Sequence, residues 1–346
     1  MTVEGIQGFP IHEHVRLRPG MYLGGIDGKA IVDLVCSLIK ETIKIYNNAE
    51  LFFSFSINGN NDFSLEINSE VDEQLIIQEI IEKAKSDLYR FKILPHICSK
   101  LEIEGENVSL FFIDGVAQET GLPLKVSKGV IINFEVDTSL FRDTTIDYAY
   151  LSDTIFIIPV LNRRTQILIK DTRQKYLNQN YFFVPEGINY LFQRIINDIL
   201  GGTSFNISED TEINGNTYQI ALGYQGWAPH PIILSFANDI PTNGGSIVDG
   251  VINGLILACK DYVRENNLID HVIKKKKISN GLILVCSVRG GDYDMKDGNV
   301  LVSPVIKKEI SKIIYQFISK HLKSNKADAD KFLARFDSKS MTSIMY

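Results

Sequence analysis

Few side chains in these 346 residues combine type and spacing in a way that suggests chemistry. Ser37 and Glu41 stand four apart in KAIVDLVCSLIKETIKI, so on a helix they leave the same face one turn apart. A hydroxyl and a carboxylate so placed could meet a polar ligand, or could mark only a wet face. Lys274, Lys275, Lys276 and Lys277 are consecutive cations in an expected loop, suited either to solvent or to a phosphate backbone. Gly244 and Gly245 precede a helical pattern, where they could open a phosphate cradle but suit a tight turn equally well. The stretch EHVRLRPGMYLGG (13–25) puts two arginines and a Pro-Gly turn ahead of the first long helix, as an anion site or an ordinary basic loop would. There is no P-loop, no GxSxG elbow and no metal-ligand spacing. The six histidines are dispersed and are expected to be solvated or satisfied. The four cysteines form no CxxC pair and have apolar neighbours, so buried thiols are expected.

The elements that must position these residues follow from periodicity. Residues 29–48 read as an amphipathic helix. LFFSFSI (51–57) and DFSLEIN (62–68) alternate at period two around Asn58-Gly59-Asn60-Asn61, a hairpin. A charged helix is predicted over 72–88, a second hairpin over 100–115 and a strand over 129–137. Helix 148–161, strand 166–171 and helix 187–200 complete a first half, and Gly201-Gly202-Thr203-Ser204 sets the expected boundary, giving domains 1–202 and 203–346. The second half reads strand 217–225, strand 231–239, helix 247–266, strand 281–289 and an amphipathic helix 304–322, a pattern that predicts a right-handed βαβ unit. Two domains fit the length, since single cores stop growing near about 250–300 residues. A net charge of −6 excludes a polycation, so any nucleic-acid contact must be a local patch. No apolar run reaches the ~18 residues of a membrane span, and no signal peptide is read, so a cytoplasmic location is expected.

VRLRPGMYLGG (15–25) resembles the segment that opens the ATPase region of gyrase B and topoisomerase IV ATPase subunits. The stretch 129–171 resembles the strand, "FDYE-L", "LAFLN" and following strand of those proteins. SFANDIPTNGGSIVDGVINGLILACKDYVRENNLI (235–269) resembles their "SFVNNINTxEGGTH" segment and transducer helix, and 281–289 the strand after it. The resemblance implies an α+β fold: a GHKL, Bergerat-type ATPase-like sandwich, then a ribosomal-S5-like βαβ transducer domain. It also implies a dimer gate closed by ATP around a DNA segment.

Carried over position by position, the pocket chemistry is altered. The family's general-base glutamate falls on Ser37, which cannot act as a base near pH 7. Its magnesium-binding asparagine falls on Glu41, where Mg²⁺ ligation is conceivable but an uncompensated carboxylate would repel a triphosphate. The adenine-reading aspartate falls on Asn68, and the glycines after it are lost in EINSEVDEQ (66–74). The supporting threonine falls on Val130, and no glycine occurs between residues 76 and 104, so the ATP lid is read as deleted. Lys296 stands near the position of the transducer lysine that reaches the terminal phosphate. No TOPRIM motif of the EGDSA type is read, and the N-terminal arm is read as short. The resulting expectation is a pseudo-ATPase, with no catalytic residue and no cofactor, pairing with itself or with a related gyrase B-like subunit, and with Lys274–Lys277 as the candidate DNA contact. The alternatives are a divergent active ATPase subunit using Mg-ATP, with Glu41 as substitute base, and an inhibitor that engages a true gyrase gate. Arg16 and Arg18 are read as shaping the approach to the first helix, with Tyr22 and Leu23 packing inward.

Overall fold

The computed structural model describes residues 11–46, 49–68, 89–105, 109–118, 129–226, 230–268, 273–291 and 293–336. The helix expected over 72–88, the turn after Asn68 and the N-terminal arm lie outside these. The chain divides into two compact units, Met1–Pro185 and Glu186–Tyr346. The division falls one helix before the Gly201-Gly202 punctuation, because the helix at 188–197 packs on strands of the second unit. Among the described residues, no helix is long and apolar enough to cross a membrane. All four cysteines are buried free thiols, as their apolar neighbours suggest.

The first unit is an eight-stranded sheet covered on one face by helices. Its strands are β1 (Leu51–Ile57), β2 (Asp62–Asn68), β3 (Cys98–Glu104), β4 (Ser109–Ile113), β5 (Val116–Gln118), β6 (Val130–Val136), β7 (Thr165–Asp171) and β8 (Asn178–Phe183), in the order β5-β4-β3-β6-β2-β1-β7-β8. All neighbours are antiparallel except β1 and β7. Period-two alternation decides the covered face: Phe63, Leu65 and Ile67 on β2 and Ile132, Phe134 and Val136 on β6 are buried, while Ser64, Glu66, Asn133 and Glu135 between them are half exposed. Over that face lie α1 (Ile11–Leu17), α2 (Pro19–Leu23), α3 (Gly28–Ile45), α4 (Tyr89–Ile97) and α5 (Tyr148–Leu161), whose apolar residues join the strands in one core.

The second unit has a five-stranded sheet of β9 (Thr203–Ile213), β10 (Asn216–Gln225), β11 (Ile232–Ala237), β12 (Ile240–Thr242) and β13 (Leu282–Arg289), ordered β12-β11-β13-β10-β9. A small ribbon of β14 (Met295–Lys296) and β15 (Val300–Leu301) accompanies it. Its helices are α6 (Ile188–Asn197), α7 (Ser246–Glu265), α8 (Lys275–Ser279), α9 (Pro304–Ser324) and α10 (Lys326–Leu333). β11 and β13 are parallel neighbours, with α7 and α8 in the crossover between them, so the expected βαβ unit is present.

The two long helices of this unit lie unusually close. A Cβ placed on Gly250 would sit 2.8 Å from the Lys307 carbonyl oxygen, and one on Gly254 2.6 Å from that of Ser311 and 2.7 Å from Cβ of Ile314. Glycine four residues apart thus lets the α7 backbone rest against the α9 backbone, and Asn253 Nδ2 donates to Ser311 Oγ at 2.9 Å across the seam. Two effects oppose each other at Gly254. Alanine would gain about 1 kcal/mol of helix propensity, but forcing a methyl into a backbone oxygen typically costs about 1–3 kcal/mol. The obstacle is main chain rather than a flexible side chain, so the clash wins. Gly254→Ala is expected to lower the urea midpoint of unfolding, monitored by circular dichroism; a raised midpoint would mean the helices can move apart freely.

Candidate functional site

The site begins with the placement of α3. Asp27 accepts a hydrogen bond from the Ala30 amide at 3.1 Å and caps the helix. At Gly28 a Cβ would lie 2.0 Å from the Thr145 carbonyl oxygen, so the first residue must be glycine for the helix to abut the 142–146 segment. The stripe Ile31, Leu34, Val35, Leu38, Ile39 and Thr42 is buried. Asp33, Ser37, Lys40 and Glu41 are left on or near the other face.

Both polar residues are already engaged. Ser37 Oγ donates to the Asp33 carbonyl at 2.7 Å, within its own helix. Glu41 Oε1 accepts from the Arg90 amide at 3.1 Å, and the Phe91 amide also bonds the carboxyl group. The side chain therefore caps the start of α4, where amides and helix dipole both favour a carboxylate. Its other oxygen, Oε2, is buried with no hydrogen-bond partner among the described residues. Burial raises the Glu41 pKa, and the two amides with the charges of Arg90 and Lys44 only partly offset this. Arg90 is held in turn, its Nη1 donating to the Tyr22 carbonyl.

Asn68 closes β2, exposed, opposite Phe52 of β1. Next to that strand end, Gly129 has φ 122°, and a Cβ there would lie 2.3 Å from the Ile67 carbonyl oxygen, so glycine is required. Val130, across from Ile67, is buried in the core and offers no hydroxyl. Ser37 and Glu41 thus share a helix face and Asn68 and Val130 adjoining strands of one sheet. Lys296 is in the second unit, exposed on β14 opposite Val300.

The lysine run corrects an expectation, because it is not a loop. Lys275–Ser279 form a helical turn, α8, anchored by the fully buried Ile278, whose carbonyl accepts from Tyr224 Oη at 3.0 Å. Lys275 pairs with Asp249 at 3.0 Å, Lys277 is half buried, and Lys274 and Lys276 are exposed. Gly244 and Gly245 form a left-handed turn with φ 75° and 79°. A Cβ on Gly245 would lie 2.3 Å from the Leu301 carbonyl oxygen, which accounts for these glycines without a phosphate.

The arginine-rich opening is also helical, in α1 and α2, with Pro19 at the first position of α2, where its missing N–H costs nothing. Arg16 forms an ion pair with Asp137 and donates to the His96 carbonyl at 3.4 Å. Tyr22 meets His14, Leu23 is buried, and Arg18 is exposed. The structure also joins two histidines that the sequence leaves 84 residues apart: His12 Nδ1 and His96 Nδ1 lie 3.3 Å apart. One ring must donate and the other accept through an unprotonated nitrogen. Burial, then His12 and Arg16, lower the His96 pKa to about 4. Nothing in the local sequence signals this pairing.

A mixed sheet under helices in one unit and a βαβ unit in the other make an α+β architecture. Residues 187–343 match the DNA gyrase B family model. The chain is 29% identical over 204 residues to the DNA gyrase B protein of Streptococcus pneumoniae, covering 55% of this chain and 31% of that protein. It is 25% identical over 213 residues to the B protein of DNA topoisomerase 4 of Mycoplasma capricolum, covering 59% and 32%. It therefore spans about a third of the length of these relatives. Among solved structures, DNA gyrase B from Myxococcus xanthus superposes with a TM-score of 0.76 at 18% identity, over 94% of this chain and 99% of that one. The 43K ATPase domain of Thermus thermophilus gyrase B, in complex with an aminocoumarin, gives 0.77 at 16% identity over 95% and 96%. Residues 187–343 are gyrase B-like, and the fold of the chain is that of these gyrase B structures.

Two outcomes follow from this geometry. Because the folded-state pKa of His96 lies below the unfolded value, the unfolded chain binds more protons between roughly pH 6.5 and 4. The stability this group contributes is present above that window and lost as pH falls through it. Melting temperature should fall over that range, and fall less for His96→Gln; parallel profiles for the two proteins would contradict the assignment. For Glu41, removing the cap with Ala should cost about 1 kcal/mol. Glu41→Gln keeps an acceptor and removes a buried charge, so its denaturation midpoint at neutral pH should equal or exceed that of the wild type.

Proposed function

We propose that this chain is a non-hydrolytic gyrase B-like module, a scaffold that pairs with itself or with a related subunit in an assembly acting on DNA topology. The observation that carries the reading is the engagement of Glu41. The group at the magnesium-ligand position is used to cap α4, and its charge is disfavoured by burial. A Mg²⁺–triphosphate needs several hard oxygen donors and a matching field of amides or cations. The donor set here is poor for that purpose. One carboxylate oxygen is occupied, the neighbouring Ser37 hydroxyl bonds its own helix, and Val130 has no hydroxyl. A serine cannot replace a carboxylate as base at neutral pH, and no step of hydrolysis is assigned to these residues.

A second reading, a divergent active ATPase, is favoured by one observation: Oε2 of Glu41 is buried with no partner among the described residues, and a raised pKa is common in general bases. Calorimetric titration with Mg-ATP, together with a phosphate-release assay, decides between the two. The scaffold reading expects no saturable heat and no phosphate above background. Saturable binding with turnover that is abolished in Glu41→Gln would replace it with the second.

A further inference from the structure

A groove of about 540 Å³ runs along the surface where α7 meets α9 in the second unit. Its floor is apolar, made by Leu257, Pro304 and the ring of Tyr315. Its rim carries Lys307, Lys308 and Lys312, and among the described residues no carboxylate lines it. Leu257 is 44% exposed, a large side chain left in water although its helix packs closely on α9.

The walls are fixed. Gly250 and Gly254 set the spacing of the two backbones, and the Asn253–Ser311 hydrogen bond ties the helices together at the groove. Tyr315 Oη donates to Asp261 Oδ2 at 2.9 Å, which holds its ring in place as part of the floor. The charge of Lys307 is partly taken by Asp249 at 3.7 Å, an acid already shared with Lys275. Lys308 and Lys312 have no such acid among the described residues, so the rim keeps an excess of positive charge over a preformed apolar depression.

We propose that this groove is a docking site for an acidic segment of a partner protein, one that carries an apolar side chain between its carboxylates. The apolar side chain would cover Leu257 and the Tyr315 ring, while carboxylates on either side would meet Lys308 and Lys312. A nucleic-acid backbone would use the lysines but leave the apolar floor in water, and a single small anion would fill little of the volume. Burying Leu257 supplies the non-directional part of the affinity, and the lysines supply charge selection and a faster encounter. The groove uses none of Ser37, Glu41, Asn68 or Val130, so the proposal stands or falls apart from the scaffold reading.

Fluorescence anisotropy with the intact chain tests it. The probe is a fluorescein-labelled peptide of Asp and Glu residues around a central Leu-Phe pair. Its comparators are the same peptide with Ser-Ser at the centre, and a labelled DNA duplex. The Leu-Phe peptide should bind more tightly than either comparator. Lys308→Glu combined with Lys312→Glu should weaken it by roughly tenfold through the loss of two exposed ion pairs. Leu257→Asp should also weaken it, whereas Lys320→Glu, exposed on α9 outside the groove, should change it little. These positions are exposed, and matching melting curves would exclude a folding defect. The proposal is overturned if the Leu-Phe peptide fails to bind, or if Ser-Ser peptide or duplex binds as tightly. Equal loss in Lys320→Glu and in the Lys308/Lys312 variant would overturn it too.

Discussion

The position of α3 is the constraint on which the first unit rests. Its N-terminus is in backbone contact with the 142–146 segment at Gly28, and the Arg142 amide donates to the Ile26 carbonyl at 2.8 Å. That segment is held from its other side. Arg173 forms two bonds to the Asp171 carboxylate, at 2.9 and 2.7 Å, and donates to the Ile146 carbonyl at 2.9 Å. Helix, connecting segment and the end of β7 are thereby fixed to one another by contacts that engage the main chain. Once α3 is set, the direction in which Ser37 and Glu41 project is set as well. Glu41 then faces the start of α4, and the amides of that helix take the place of water around its carboxylate.

The two units contain contrasting carboxylates, Glu309 buried and Glu41 partly buried. Glu309, on α9, accepts from Asn214 Nδ2 at 2.6 Å, from Asn216 Nδ2 at 3.4 Å and from Tyr218 Oη. Asn216 Oδ1 in turn accepts from Tyr293 Oη at 3.0 Å and the Gly291 amide at 3.3 Å. Both oxygens of Glu309 have donors, and the network ties the β9–β10 turn and the loop after β13 to α9. Burial, then the Glu309 hydrogen bond and its charge, push the Tyr218 hydroxyl well above its ordinary pKa, so it stays a donor. Glu41 is the incomplete case: among the described residues one oxygen has a donor and the other has none. A buried carboxylate with all its donors is architecture. One with a free oxygen is where chemistry or a ligand could enter, and that is why both functional readings turn on the same side chain.

How far the sequence discloses this depends on burial. β1, β2, β6 and β7 are legible because apolar core positions recur at period two along each, and α3, α7 and α9 because their apolar stripes are continuous. β8 is hard to see, since NQNYFF carries little apolar alternation and its positions are mostly exposed. The outer half of β9, EDTEI, is equally polar, so Thr203 reads as punctuation rather than as the start of an eleven-residue strand. α1 and α2 are hidden by the Pro-Gly pair, which reads as a turn but stands here at the start of a helix. The four-lysine run reads as a loop because the one residue that anchors it, Ile278, follows the charges. At the candidate site the spacing of Ser37 and Glu41 is plain, but the donors to Glu41, the Arg90 and Phe91 amides, come from a distant part of the chain. The His12–His96 pair is likewise long-range. No local pattern encodes either contact.

Structural likeness at 16–18% identity with TM-scores of 0.76–0.77 means that most side chains differ while the backbone path persists. Core packing tolerates exchange among apolar residues of similar volume, but a reactive pocket does not tolerate exchange of a base for a hydroxyl. A shared motif is therefore informative only through what its residues touch. In RPGMY the proline starts α2, the tyrosine meets His14, and the arginine two positions before the motif's own pairs with Asp137. Each of these contacts is made within the first unit and none requires a nucleotide. Pro19 and Tyr22 have structural roles while Arg18 and Met21 are exposed, so the motif's presence is neutral between an active and an inactive pocket. The discriminating residue is Glu41.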